Sequence, residues 1–160
     1  MGVEVNASAS DVDRLRDALH AVADAGAVGA VTIRTRAADP AQREVAVGAD
    51  ASAAWTLDAC RTSIYDNDVR ARLDLPLGDP QLREDAVAVR AVRYAPQMLP
   101  ALRHCFARDP GLRVHLYRPE GVLGATIGHV CVVAPDIEDA RRRAEHAADY
   151  LSGTLEEEQP

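Results

Sequence analysis

Two histidines and a cysteine in the second half of the sequence are spaced for chemistry on one face of a sheet. His129 and Cys131 are two residues apart in a run that predicts a β-strand, so their side chains share a face. His115 alternates onto one face of the strand predicted before it and could lie across from them. A Cys–His pair can be nucleophilic, and a His–Cys–His set can hold zinc. Because no fourth ligand is apparent, the sequence favours the alternative that all three are ordinary sheet residues.

Three arginines form a second candidate set. Arg34 lies on one predicted strand, and Arg90 and Arg93 lie on another. A guanidinium can hold a carboxylate or a phosphate through two parallel hydrogen bonds, so these residues could anchor a small carboxylate ligand. The alternative is that they belong to solvated strand faces and pair with the many acidic side chains of the sequence.

The charge balance excludes several classes of function. The 160 residues include 18 basic and 25 acidic side chains, which give a formal net charge of -7. A general nucleic-acid or anionic-membrane binder needs a positive field, so neither partner is expected. Every basic residue is arginine and none is lysine. A lysine nucleophile, a Schiff-base enzyme and a Walker-type phosphate loop are therefore excluded.

The compartment is predicted from the first residues and from the cysteines. Residues 1–10 lack the charged and then apolar pattern of a signal peptide, and no apolar run approaches the roughly 20 residues of a membrane span. The sequence has three cysteines, an odd number, without CxxC spacing. We expect reduced, buried thiols in a cytoplasmic protein.

The order of the predicted elements indicates an α+β fold. Residues 12–48 and 100–133 each show a helix, a glycine turn, a strand, a loop and a second strand. This order predicts two αββ-like units, with a largely antiparallel sheet and helices on one face. Residues 53–73 are predicted as one helix between them. A last helix should begin after Asp136 and have Ile137, Ala140, Ala144, Ala147, Ala148 and Leu151 on its inner face.

The domain boundaries are predicted from the composition and from the positions of turn-forming residues. Residues 10–153 are expected to form one compact domain, with proline and glycine residues near 76–80 separating subdomains 10–80 and 81–153. Residues 1–9 are expected to be a flexible leader. Residues 154–160 are acidic, and we expect them to form a disordered tail.

The second half of the chain resembles the C-terminal lobe of ATP-grasp carboxylate–amine ligases. In that family a glycine-led strand is followed by a helix rich in acidic residues and alanine. The matching residues here are Gly128, His129, Val130, Asp136, Glu138, Asp139, Ala140 and Ala144. Upstream, residues 77–80 read Leu-Gly-Asp-Pro where the family has a Leu-Gly-x-Pro turn. The resemblance implies the fold of that lobe and a ligase pathway.

The resemblance also implies a metal site that this sequence does not complete. The second strand of the family carries Glu-x-Asn, which holds the magnesium ions that bridge the ATP phosphates. The corresponding residues here are Glu44, Val45 and Ala46, so Glu44 is only a residual ligand position. The preceding strand has Thr32 and Arg34 where the family places a further acidic ligand. We therefore expect no ATP or magnesium to be held by this chain on its own.

Three hypotheses of function follow. The leading one is a non-catalytic partner subunit of a larger ATP-grasp ligase, in small-peptide or specialised-metabolite biosynthesis, with ATP and magnesium bound by the partner. The second is a homodimeric α+β module that binds a small molecule. The third and weakest is a small enzyme that uses His115, His129 and Cys131.

Overall fold

The computed structural model describes residues 9–36, 39–117 and 122–155 and contains two compact units. One unit ends at Gln81 and the other begins at Leu82. The predicted leader, apart from Ala9, lies outside the described residues, and so does the predicted tail beyond residue 155.

The first unit contains a helix, a β-hairpin and a second helical segment. Helix α1 (Ala9–Asp24) precedes strands β1 (Val31–Arg36) and β2 (Asp39–Val47), which pair antiparallel from Val31 opposite Val47 onward. After a 3₁₀ turn over Ala51–Ala53 come the short helix α2 (Thr56–Ala59) and helix α3 (Ile64–Arg72).

The prediction of one helix over residues 53–73 is wrong, because the chain is extended at Cys60 and a new helix begins after Ser63. Cys60 has φ −99° and ψ 154°. The Ser63 hydroxyl accepts a hydrogen bond from the Asp66 amide at 3.1 Å, and the Asp66 carboxylate accepts one from the Ser63 amide at 3.3 Å. This reciprocal capping box satisfies amides at the start of α3 and fixes where the helix begins.

Asp68 on α3 fixes the start of the hairpin. Its carboxylate accepts a hydrogen bond from the Ala30 amide at 2.7 Å and one from Arg72 Nε at 2.9 Å. The hydrogen bond from Arg72 and that from Ala30 lower the pKa of Asp68. Gly29 has φ +116°, and a Cβ there would collide with the Asp68 carboxylate. Glycine is thus required beside this contact for both its conformation and its size.

The second unit packs two helices on a three-stranded sheet. Its elements are β3 (Ala86–Arg93), α4 (Met98–Arg108), β4 (Arg113–Leu116), β5 (Thr126–Ala134) and α5 (Ile137–Leu151). The strand order is β3-β5-β4, and both pairings are antiparallel. Strand β5 is therefore central, and Val130 and Val132 on it are fully buried against the helices.

Helix α5 covers the sheet with small side chains. Asp136 caps it by accepting a hydrogen bond from the Asp139 amide at 2.8 Å. Of the predicted inner-face residues, all are buried except Ile137, which is 39% exposed because it stands in the first turn. The buried face consists mostly of alanine, so the helix can lie close to the strands.

The predicted fold class is confirmed. Each unit contains a helix followed by an antiparallel strand pair, α1-β1-β2 in the first and α4-β4-β5 in the second. The strands form two separate antiparallel sheets, one in each unit. Within the described ranges, none of the helices combines the length and apolar character that crossing a membrane requires.

Replacing Gly128 with alanine should displace β4 from β5. Gly128 is the partner of Leu116, and an added Cβ would overlap the backbone carbonyl oxygen of His115. We expect Gly128→Ala to lower the free energy of unfolding by about 3 kcal/mol, because backbone has to move. Gly111→Ala is the matched control, since its Cβ would contact only side chains, at 3.4 and 3.5 Å. Urea denaturation showing equal losses for both variants would contradict the expected overlap.

Asp109 joins the end of α4 to α5 and gives the fold a dependence on pH. Its carboxylate accepts hydrogen bonds at 2.8 Å from both Nε and Nη2 of Arg143, and these lower its pKa below the ordinary 3.8. A lowered pKa in the folded state contributes stability above the ordinary value, and this contribution is lost as the pH falls through the folded-state pKa.

Asp109→Asn should therefore lower the free energy of unfolding at pH 7 by about 2 kcal/mol. The difference from the unchanged protein should shrink as the pH falls from about 4 through the lower folded-state pKa of Asp109, below which the carboxylate is protonated in both states. Glu138→Gln is the control. Its partner Arg141 lies one helical turn away in an exposed pair, and such pairs contribute about 0.5 kcal/mol. Denaturation series at several pH values measure both variants, and a pH-independent loss for Asp109→Asn would contradict the ion-pair origin.

Candidate functional site

The predicted histidines meet on the face of the second sheet that lies opposite the helices. His115 on β4 is the register partner of His129 on β5, and their rings stack with centroids 4.7 Å apart and planes 19° apart. Cys131 lies two residues further along β5, opposite Arg113 and Val89. The structure therefore brings all three predicted residues to adjacent positions of one strand pair.

A tyrosine completes this cluster. The Tyr117 hydroxyl is hydrogen-bonded to Nδ1 of His129, and the two ring centroids are 5.5 Å apart. When the phenol donates, Nδ1 accepts, and the neutral imidazole carries its proton on Nε2. The cluster can therefore hold a proton at a defined nitrogen of a buried histidine.

The burial of the cluster limits its chemistry. His129 is 6% exposed and Cys131 is fully buried. A substrate that arrives from solvent cannot contact the Cys131 sulfur in this conformation, and thiol attack requires such contact. The catalytic roles predicted for His115, His129 and Cys131 stay predictions, while the arrangement itself is that of packed sheet residues.

Tyr117 was absent from the sequence-based candidates, although a signal for it exists. It follows His115 by two residues, and alternation along a strand places it on the same face. Strand β4 ends at Leu116, but the Tyr117 amide still donates to the Ile127 carbonyl at 2.8 Å. The ladder therefore continues far enough to hold the tyrosine beside His129.

The predicted arginine anchors of the second unit have partners within that unit. Arg90 Nη2 donates to Glu145 Oε1 on α5 at 2.5 Å, and Arg93 Nη1 donates to the Gly124 carbonyl at 3.3 Å. The Arg93 amide also donates to the Ser152 hydroxyl at 3.0 Å. Arg90 and Arg93 thus connect β3 to its surroundings. Their predicted role with a carboxylate ligand stays a prediction.

The hairpin of the first unit carries the residual metal position. The register makes Arg34 the partner of Glu44 and Thr32 the partner of Ala46. Magnesium prefers oxygen ligands in near-octahedral geometry. Alanine supplies no oxygen, and Arg34 brings a positive charge to the position where the resemblance requires a carboxylate. That this chain holds neither ATP nor magnesium on its own stays a prediction from these residue types.

In sequence, the chain is similar to mycobacterial enzymes. It is 38% identical over 115 residues to the N5-carboxyaminoimidazole ribonucleotide synthase of Mycobacterium tuberculosis, covering 68% of this chain and 27% of that protein. It is 35% identical over 151 residues to the synthase of Mycobacterium leprae, covering 84% of this chain and 34% of that protein. The chain thus spans about a third of the length of these relatives. No protein-family model matches it.

In structure, the chain is similar to a solved ADP complex of N5-carboxyaminoimidazole ribonucleotide synthetase. The TM-score is 0.69 at 23% sequence identity, and the likeness covers 91% of this chain and 39% of the solved one. The likeness covers both units and shows the fold. The resemblance to the C-terminal lobe of ATP-grasp ligases that the sequence predicted is confirmed.

Tyr117→Phe should change the state of His129 without unfolding the sheet. Loss of the phenol leaves the His129 Nδ1 without this hydrogen bond, so its imidazole nitrogen shifts should move in ¹⁵N NMR spectra. We expect the free energy of unfolding to fall by about 1 kcal/mol. Tyr94→Phe, at the end of β3, is the control and should leave the His129 nitrogens unchanged. Identical His129 spectra in the unchanged protein and in Tyr117→Phe would contradict the hydrogen bond.

Proposed function

We propose that this chain, which is similar in sequence and in fold to ATP-grasp N5-carboxyaminoimidazole ribonucleotide synthases, works as a non-catalytic partner of such a ligase. The partner would bind ATP and magnesium. This chain would contribute the surface of a C-terminal-lobe fold to the complex or to its regulation.

The observation that carries the proposal is the donor set of the β1–β2 hairpin. Glu44 is present, but the position two residues on is Ala46, and the register partner of Glu44 is Arg34. Phosphoryl transfer depends on metal-held phosphates and on neutralised charge. Replacing an oxygen ligand by alanine and a carboxylate position by a guanidinium both weaken magnesium binding, and without the metal ion the phosphates are not held for transfer. The absence of lysine from the sequence also removes the ammonium group that commonly neutralises nucleotide phosphates.

The relatives narrow the substrate class of the partner. They are named for an imidazole ribonucleotide and not for a peptide, so we propose a ribonucleotide-carboxylating ligase in place of small-peptide or specialised-metabolite biosynthesis. A role for Arg34, Arg90 or Arg93 in holding a carboxylate of the substrate remains part of the proposal.

The proposed compartment is the cytoplasm. Cys60, Cys105 and Cys131 are all buried and show no CxxC spacing, as we expect for cysteines of a protein in a reducing compartment.

The test combines nucleotide turnover with complex formation. The purified chain, given ATP, magnesium, bicarbonate and 5-aminoimidazole ribonucleotide, should release no ADP above a protein-free blank. The full-length synthase of Mycobacterium tuberculosis serves as the positive control. Magnesium-dependent release of ADP by this chain alone, at a rate proportional to its concentration, would overturn the non-catalytic role.

Complex formation is measured with a full-length synthase from the same genome, co-expressed with this chain. Light scattering on the eluted complex should give a fixed stoichiometry, and the ligase rate of the complex should differ from that of the synthase alone. A clean homodimer that leaves the synthase unchanged in mass and rate would contradict the partner role and favour the small-molecule-binding module.

A further inference from the structure

A cleft in the second unit gathers positive charge from two helices. It has a volume of about 580 Å³ and lies where the end of α4 meets α5. Its lining residues include Arg108 and Asp109 at the end of α4 and Arg142, Arg143 and His146 on α5. This volume falls within the roughly 300–1,000 Å³ of small-molecule sites. The sequence as a whole is acidic, with a net charge of -7, so the concentration of guanidinium groups is local.

Helical spacing explains why these residues meet. Arg142 and His146 are four residues apart on α5 and therefore occupy one face, and Arg143 is adjacent. Arg108 stands in the last turn of α4. The run of arginines at 141–143 alone would spread its charge around the helix. The end of α4 adds a further arginine on the side where Arg142 and Arg143 lie.

Ion pairs fix one of these arginines in the wall of the cleft. Arg143 donates from Nε and Nη2 to Asp109 at 2.8 Å each, and from Nη1 to Asp139 at 3.1 Å. Both pairs raise the Arg143 pKa, with the hydrogen bond that Arg143 donates to Asp109 as the largest cause. Arg143 is therefore rigid and always charged. A fixed donor costs little conformational entropy when a ligand binds.

The other two arginines, Arg142 and Arg108, can still donate hydrogen bonds to a ligand. Arg142 pairs with Asp139 on one edge and is exposed elsewhere. Arg108 forms no ion pair with any acidic residue in the ranges 9–36, 39–117 and 122–155. Its charge acts on His146, whose pKa is lowered by burial first and then by Arg108 and by His104 on α4, while Asp149 on α5 raises it.

We propose that this cleft binds the phosphate group of a small phosphomonoester, with Arg108, Arg142 and His146 as its ligands and Arg143 as the fixed wall. Guanidinium groups match phosphate oxygens through paired hydrogen bonds, and a dianion offsets more of the gathered positive charge than a monoanion. The site is independent of the proposed partner role.

The experiment follows the His146 Cε1–H resonance by NMR while inorganic phosphate or ribose 5-phosphate is added at constant ionic strength. We expect saturable shifts with both probes, and stronger binding of ribose 5-phosphate because it is a phosphomonoester. Binding should also raise the pKa of His146, because the bound anion offsets the charge of Arg108. A linear response without saturation, or equal affinity for acetate, would overturn the proposal.

Two pairs of variants distinguish a specific phosphate site from nonspecific attraction of anions to the positively charged helices. Arg108→Gln and Arg142→Gln should each weaken binding about tenfold, as expected for the loss of a charge-assisted hydrogen bond. Arg103→Gln on α4 and Arg141→Gln on α5 remove the same charge from the same helices and should leave the affinity within twofold. Equal weakening by all four would show nonspecific attraction and contradict the site. Circular dichroism checks that the variants fold.

Discussion

The second unit depends on one central strand that is buried along almost its whole length. Strand β5 pairs with β3 on one side and with β4 on the other, and from Ile127 to Val132 every residue is buried. A strand in this position must be apolar on the helix face and small where a neighbour approaches closely. Gly128 meets the second demand, because the His115 carbonyl occupies the space that a Cβ would fill. Through that close approach the backbone of β4 places His115 over His129.

Residues with local signals could be predicted from sequence. The alternation of Val114 and Leu116 with His115 indicated strand β4, and the alanine face after Asp136 indicated helix α5, as the structure shows. The interruption between Cys60 and Ser63 was missed because an apolar pattern continued through it. The helix is interrupted there because the capping box at Ser63 and Asp66 begins a new helix. This hydrogen bonding outweighs the helical spacing of the apolar residues on either side.

The candidate site was predictable only in part, because the sequence does not show which residues of two neighbouring strands lie opposite each other. The sequence placed His129 and Cys131 on one face, but the register that sets His115 directly against His129 depends on the whole β4–β5 ladder. The partner of Arg90 shows the same limit. Its contact with Glu145 spans 55 positions of the chain, and no local pattern specifies such a pair.

The fold of an ATP-grasp lobe and its metal chemistry rest on different atoms, so a chain with the fold need not have the chemistry. The β1–β2 hairpin is held by backbone hydrogen bonds and by the Asp68 contact at its start, and neither needs a particular side chain at position 46. Metal binding needs side-chain oxygens at defined positions, so an alanine at a ligand position would remove the ligand without disturbing the ladder. The same separation explains how α5 can retain its alanine face toward the sheet while its other face acquires arginines. The inner face is constrained by packing against the sheet, whereas the outer face has room for charged side chains, among which Arg143 pairs with Asp109.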